Sequence, residues 1–201
     1  MEIVLATENR YKLLEFQRIL HQLPVHWITL TTLQSNTNIA EDGVTFAENA
    51  EHKAREICRI SGLPALADDS GLTVDALGGR PGVHTARYAG PKATQAQQWA
   101  QLLHEMQAVA WEHRSAQFRC ALALAIPGIP TLVAAEGVCS GLIALQPRGR
   151  YGFGYDPIFY IPEHTRTMAE LTPLEKDRIS HRGLAARSIS QQINTLLVQD
   201  D

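Results

Sequence analysis

Two adjacent carboxylates, Asp68 and Asp69, stand in the run Ala65-Leu66-Ala67-Asp68-Asp69-Ser70-Gly71. Carboxylates this close repel each other, and Mg²⁺ relieves that repulsion. It takes hard oxygen ligands, commonly one or two carboxylates plus the phosphates of a substrate. The preceding apolar run predicts a short buried strand over 63–67 that ends at Asp68. Ligands of α/β sheets collect at such ends. Neighbouring strand residues point to opposite faces, so both carboxylates share a site only if the strand stops between them. Gly71 permits such a departure. The same residues also suit a surface turn. Glu41-Asp42-Gly43 offers a further carboxylate, which either completes a metal shell or faces the dipole of the helix that follows.

Groups suited to phosphate appear at two places. In Thr7-Glu8-Asn9-Arg10-Tyr11-Lys12, a polar loop leads into a helix. A helix N-terminus attracts anions, and a hydroxyl, an amide and an ammonium there add donors for phosphate oxygens. An N-cap followed by a solvated lysine accounts for the same residues. The glycines of a Walker loop are missing. Near the other end, Lys176 precedes Ser180-His181-Arg182. On a continuous helix Lys176 and Ser180 share a face. Arg182 offers a planar fork and His181 two ring nitrogens. Between these blocks, Gly152-Phe153-Gly154-Tyr155-Asp156-Pro157 interleaves aromatics with glycines. Such a loop can stack a flat ring and hydrogen-bond its edge through Asp156, although a turn with core aromatics fits as well.

The chain that must position these groups has 201 residues, 45% of them apolar and 19% charged, with a net charge of −3. That is enough for a hydrophobic core, and it offers no basic surface for nucleic acid. The longest apolar stretch, Cys120 to Ile126, is too short to span a bilayer, and the N-terminus lacks a secretion signal. Three scattered cysteines, Cys58, Cys120 and Cys139, suit packed thiols in a reducing, cytoplasmic setting.

Ile3 to Ala6 reads as a strand and 11–23 as a helix, with Leu13, Phe16, Leu20 and Leu23 at helical spacing. Thr45 and Glu48 form a capping box that starts a second helix. A third spans about 94–109. Ala116 to Ile126 and Leu132 to Cys139, separated by Pro127-Gly128-Ile129-Pro130, read as an antiparallel strand pair. Thr172-Pro173-Leu174-Glu175 starts another helix, and a long one follows from about Ser180 to Leu197. The class is α/β with a mixed sheet.

Six blocks in this order resemble the inosine triphosphate pyrophosphatase family, the bacterial dITP/XTP pyrophosphatases. They are Thr7-x-Asn9-x-x-Lys12; Thr45-Phe46-x-Glu48-Asn49-Ala50-x-x-Lys53-Ala54; Ala67-Asp68-Asp69-Ser70-Gly71-Leu72; Gly78-Gly79-x-Pro81-Gly82 with Ala86-Arg87-Tyr88-x-Gly90; Gly152 to Pro157; and Lys176 with Ser180-His181-Arg182. Each is weak alone, but together they span nearly the whole chain. Glu8 and Thr85 stand where the family often has Gly and Ser. Glu8 is expected to point to solvent, away from a phosphate.

The resemblance implies one two-lobed domain over 1–201, built around a long mixed sheet with flanking helices and an active site in the interlobe cleft. It implies a homodimer, dependence on Mg²⁺, and conversion of ITP, dITP or XTP to the monophosphate and pyrophosphate. The stretch Thr7-Glu8-Asn9-Arg10-Tyr11-Lys12 would bind the substrate, with Thr7, Asn9, Lys12 and Lys176 on the phosphates, and Ser70 would donate to the substrate. Asp69 and Glu41 would hold the metal, with Asp68 as an alternative, and Asp69 would act as base. Phe153, in the loop Phe153-Gly154-Tyr155-Asp156, would stack the purine, and Asp156, His181 and Arg182 would read its edge. This scheme requires Asp69 to face the same groove as Lys12, Lys176 and Arg182. A pyrophosphatase for modified pyrimidines and a non-hydrolytic nucleotide sensor remain the competing readings. A haloacid-dehalogenase-type phosphatase is disfavoured by the missing Asp-x-Asp-x-Thr pattern.

Overall fold

The computed structural model describes residues 1–33, 39 and 41–199. The chain runs β1 (Glu2–Ala6), α1 (Arg10–Ile19), β2 (His26–Thr29), α2 (Phe46–Ser61), β3 (Ala65–Val74) and α3 (Gln95–Glu105). It continues through β4 (Ser115–Ile126), β5 (Ile129–Ile143), β6 (Phe159–Ile161), β7 (Arg166–Thr167), α4 (Pro173–Ile179) and α5 (His181–Gln199). The seven strands form one sheet in the order β2-β1-β3-β4-β5-β6-β7. β1 pairs parallel with β2 and β3, whereas β5–β6 and β6–β7 are antiparallel. β4 and β5 are neighbours joined only by Pro127-Gly128, a link that permits only antiparallel pairing. The sheet is therefore mixed.

The chain divides into two compact units. The first comprises Met1–Asp69, Cys120–Gly137 and Arg182–Asp201. Alternation along its strands decides its layers. Ile3, Leu5, Leu66, Cys120, Leu122 and Leu124 pack with Phe16 and Leu20 of the α1 region and with Ala185, Ala186, Ile189 and Ile193 of α5. The intervening Val4, Ala6, Ala65, Ala67, Ala121, Ala123 and Ala125 pack with Ala50, Ala54, Ile57 and Cys58 of α2. One face carries large side chains and two helices. The other is lined mostly by alanines, which lets α2 approach closely.

The second unit comprises Ser70–Arg119 and Val138–His181. Its core gathers Leu72, Val74, Leu102, Met106, Phe118, Ile143, Phe159 and Met168. The rings of Phe118 and Phe159 meet at 4.3 Å between centroids. Arg114 is buried in this unit and donates to four backbone carbonyls, those of Ile143 (2.7 Å), Met106 (2.7 Å), Val109 (3.2 Å) and Ala144 (3.1 Å). It thereby satisfies carbonyls beyond the end of α3 and holds them to the end of β5.

Local sequence explains most helix ends. Asn9 Oδ1 accepts from the N–H groups of Tyr11 (3.0 Å) and Lys12 (3.3 Å), which starts α1. Thr45 caps α2, which ends at Gly62 in the left-handed region at φ 69°. The expected capping box there is only half formed. Thr45 accepts from Glu48 N–H, but the Glu48 carboxylate reaches Val44 N–H at 2.8 Å instead of Thr45. Thr94 with Gln97 and Thr172 with Glu175 form full boxes at α3 and α4.

Three expectations need correction. β3 does not stop at Asp68-Asp69 but continues to Val74. Lys176 and Ser180 do not lie on one continuous helix, because Ser180 is extended at ψ 154° and separates α4 from α5. The first helix ends at Ile19, although Leu20 and Leu23 still pack in the core. The short strands β2, β6 and β7 carry too little period to be read from sequence.

Among the described residues no helix is long and apolar enough to cross a membrane. All three cysteines are free and buried, and burial pushes the thiols of Cys120 and Cys139 up to about 12 and about 11. They are packing residues rather than nucleophiles.

The Arg114 arrangement makes a stability prediction. Arg114→Leu leaves four carbonyls short of a donor and should lower unfolding free energy by about 3 kcal/mol or more. Urea denaturation measures this, and a loss below about 1 kcal/mol would contradict the assigned role.

Candidate active site

The unbroken course of β3 organises the carboxylates. Asp68 is in register with Leu66 and lies on the α1/α5 face; Asp69 is in register with Ala65 and Ala67 and lies on the α2 face. Both are buried. The two acids therefore serve different surroundings. Asp68 does not stand beside Asp69 as an alternative metal ligand. Nor does Asp69 share a sheet face with Arg182, as the expected common groove required, although Lys12 still acts on its charge.

On the α1/α5 face, Asp68 Oδ2 meets Lys12 Nζ at 3.0 Å and Arg182 Nη2 at 3.6 Å. Burial opposes the Asp68 charge, but Lys12, Arg182 and Lys53 outweigh it and hold the carboxyl well below the usual range. Arg182 Nη1 donates to Glu15 Oε2 at 2.6 Å, and its guanidinium lies 5.7 Å from the centre of the Phe16 ring. Arg182 thus sits between two buried carboxylates rather than presenting its fork to a base edge, the role expected of it. Glu15 was not marked out by its sequence context. Its partner is 167 positions away.

On the α2 face, Asp69 Oδ2 accepts from Asn49 Nδ2 at 2.9 Å. Burial pushes the Asp69 carboxyl up; Asn49, Lys53 and Lys12 pull it back only in part, and Glu41 adds to the rise. Lys12 therefore lies within electrostatic reach of both acids. Lys53 Nζ contacts Glu41 Oε1 at 2.6 Å and the Asp68 carbonyl at 3.1 Å. Burial disfavours its charge, but Asp68, Glu41 and Asp69 together hold its ammonium above its ordinary value. Asn49 and Lys53 were legible as part of a family block but were not assigned to the site. Their spacing of four on α2, facing the acidic strand, is the signal that finds them.

The stretch 7–12 is mostly exposed, apart from the Lys12 ammonium that turns in to Asp68. Glu8, Asn9, Arg10 and Tyr11 are exposed, and Glu8 points to solvent as expected. Asn9 N–H donates to Thr7 Oγ1 at 3.2 Å, so these residues brace one another before α1 begins.

In the second unit, Asp156 is buried, and its Oδ2 accepts from Phe153 N–H at 2.8 Å and pairs with Lys176 Nζ. The Lys176 ammonium lies 4.7 Å from the centre of the Phe153 ring. Lys176, expected among phosphate cations, is thus joined to the aromatic loop, and Asp156 is turned into that loop instead of outward. Gly152 adopts φ 74°, and a Cβ there would fall 2.0 Å from Asp156 Oδ2, so only glycine allows this loop. Gly154 N–H donates to Gln95 at 2.8 Å, and Tyr155 Oη donates to the Thr85 carbonyl at 3.2 Å. His181 stacks on Phe118 at 4.8 Å between centroids. Ser70 is half-buried on β3.

A divalent ion fits the α2 face. Asp69 and Glu41 are hard oxygen donors that sense each other's charge. Among the described residues no three His, Cys, Asp or Glu side chains gather as a metal cage. An Mg²⁺ held by these two would draw further ligands from phosphate and water.

The Ham1 family model matches residues 3–192. The chain is 52% identical to the dITP/XTP pyrophosphatase of Geobacillus kaustophilus, over 95% of this chain and 93% of that protein. It is 45% identical to the dITP/XTP pyrophosphatase of Bacillus subtilis, over 94% and 96%. A solved HAM1 protein from Coxiella burnetii superposes with a TM-score of 0.89 at 47% identity, covering 97% of this chain and 99% of that one.

The charge cluster on β3 yields a direct test. Arg182→Met removes the cation between Glu15 and Asp68 and should destabilise the fold by about 3–5 kcal/mol in urea unfolding. Removing Glu15 as well, in Glu15→Leu/Arg182→Met, should recover part of that loss. Additive losses would show that the two side chains are not coupled.

Proposed function

The chain belongs to the Ham1 family, and from that premise we propose that it hydrolyses ITP, dITP and XTP to the monophosphate and pyrophosphate. The observation that carries this reading is the buried Asp69, set on one sheet face with Lys53 and Glu41 and within electrostatic reach of Lys12. That set combines a carboxylate base, metal donors and phosphate cations on one short stretch of structure.

Asp69 and Glu41 would hold Mg²⁺, which neutralises phosphate charge and makes a bound water easier to deprotonate. Thr7, Asn9 and Lys12 take the phosphates at the start of α1. Asp69 receives the proton of the water that attacks the α-phosphorus. The bond from that phosphorus to the bridging oxygen breaks, and pyrophosphate leaves. Most of the rate gain is positioning and electrostatics.

Phe153 stacks the purine, with Lys176 and Asp156 fixing the loop that carries it. His181, braced by Phe118, supplies an N–H to the 6-oxo group, where adenine would present a donor against a donor. Arg182 contributes by holding Asp68, and Ser70 donates to the substrate. A homodimer acting in the cytoplasm belongs to the same reading through the family resemblance, and buried free thiols suit that compartment.

Incubation with ITP, XTP, dATP and GTP, with phosphate and pyrophosphate assayed separately, tests the assignment. Pyrophosphate should form from ITP and XTP at least about 100-fold faster than from dATP. Orthophosphate as the first product, or binding of ITP without turnover, would overturn it. Asp69→Asn should reduce pyrophosphate release about 10³-fold or more while leaving the thermal midpoint near that of the parent protein. Near-parental release by that variant would remove Asp69 from the mechanism. Phe153→Ala should raise KM for ITP about 10-fold or more, as expected for the loss of one stacked base.

A further inference from the structure

Segment 41–45 is tied to the first turns of α2 by several contacts. Val44 N–H donates to Glu48 at 2.8 Å, and Thr45 accepts from Glu48 N–H at 3.1 Å. Gly43 N–H donates to Asn49 Oδ1 at 2.8 Å, and Lys53 binds Glu41. Two of these side chains also reach β3. Lys53 reaches the Asp68 carbonyl, and Asn49 reaches the Asp69 carboxylate. Asn49 and Lys53 are four apart on one helix face, so α2 bridges the Glu41 segment to β3 twice.

The Asn49 amide has one possible orientation. Gly43 N–H can only donate, so it must face Oδ1; Nδ2 is then left as the donor to Asp69. Asn49 is buried, and its neighbour on the loop must be glycine, since a Cβ at position 43 would lie 2.7 Å from Asn49 Oδ1. An aspartate at 49 could still accept from Gly43, but it would set a second carboxylate against Asp69. A leucine would serve neither partner.

We propose that Asn49 is a positioning residue that presets Asp69 against the Glu41–Gly43 segment, so that the two carboxylates meet a divalent cation already spaced and oriented. This rests on the metal-dependent reading above. By committing Asp69 Oδ2 to an N–H donor, Asn49 restrains the carboxylate rotamer, and Oδ1 would then be the oxygen offered to a cation. Outer partners of metal-binding carboxylates have effects of this kind, commonly 10–100-fold.

The test uses the full chain with three substitutions. Asn49→Leu removes both bonds. Asn49→Asp keeps the Gly43 anchor and loses the donor to Asp69. Gly43→Ala displaces the loop from an intact Asn49. Pyrophosphate release from ITP is followed against Mg²⁺ concentration, Mn²⁺ binding to the nucleotide-free protein by electron paramagnetic resonance, and folding by thermal denaturation. Asn49→Leu and Asn49→Asp should each lower kcat about 50-fold with KM for ITP within about threefold. Asn49→Leu and Gly43→Ala should weaken Mn²⁺ binding about tenfold. Parental kcat and Mn²⁺ affinity in Asn49→Leu would overturn the proposal, as would losses that follow the thermal midpoint alone. If Asn49→Leu does not fold, Asn49→Asp and Gly43→Ala decide the matter by the same criteria. Should the parent protein release no pyrophosphate from ITP, the functional reading falls, and the Mn²⁺ measurement still judges Asn49.

Discussion

Successive side chains of an unbroken strand leave on opposite faces of the sheet, and the chemistry of the first unit follows from that rule. Because β3 runs through Asp68 and Asp69, the two acids are separated by the sheet itself. Asp68 enters a closed cluster with Lys12, Arg182 and Glu15, where its charge is compensated. Asp69 enters a less compensated setting beside Asn49, Lys53 and Glu41, and burial raises its proton affinity. One carboxylate is stabilised as a fixed charge, and the other holds its proton more readily. Placing both on one face would leave two buried like charges in contact and give neither role.

The second unit uses buried charge in a different way. Asp156 ties the aromatic loop together from inside, binding Phe153 N–H and Lys176. The cation then lies against the Phe153 ring. A buried ion pair gives little net stability, because desolvation offsets the attraction. Here it fixes the geometry of a loop containing three glycines, Gly149, Gly152 and Gly154, each in the left-handed region. Without such a tie, a loop this rich in glycine would sample many conformations before it could present a ring.

The layers follow from alternation written into the strands. Leucine or cysteine alternates with alanine through Ala65-Leu66-Ala67 and Cys120 to Ala125, and each set chose its helix partners. Caps at Asn9, Thr45 and Thr172 were legible because they act within four residues. The continuation of β3 was not. Asp and Ser favour turns locally, and what holds them in a strand is partners brought from elsewhere in the chain, Lys12 and Arg182 for Asp68 and Asn49 for Asp69. The site was legible as a set of residue types and only partly as a set of pairings. Arg182 looked like a base reader because Glu15 could not be known as its partner. Lys176 looked like a phosphate cation because Asp156 had been given another task.

Carboxylates outnumber cations around Asp69. Three cations, Lys12, Lys53 and Arg182, meet four carboxylates, Glu15, Glu41, Asp68 and Asp69, in the first unit. Arg182 is committed between Glu15 and Asp68, and Lys53 is held to Glu41. Such a set has little positive charge to offer a triphosphate, and its acids would repel one. A divalent cation held by Asp69 and Glu41 would supply the positive charge that this set lacks. The charges of these residues thus suit the Mg²⁺ dependence that the family resemblance implies.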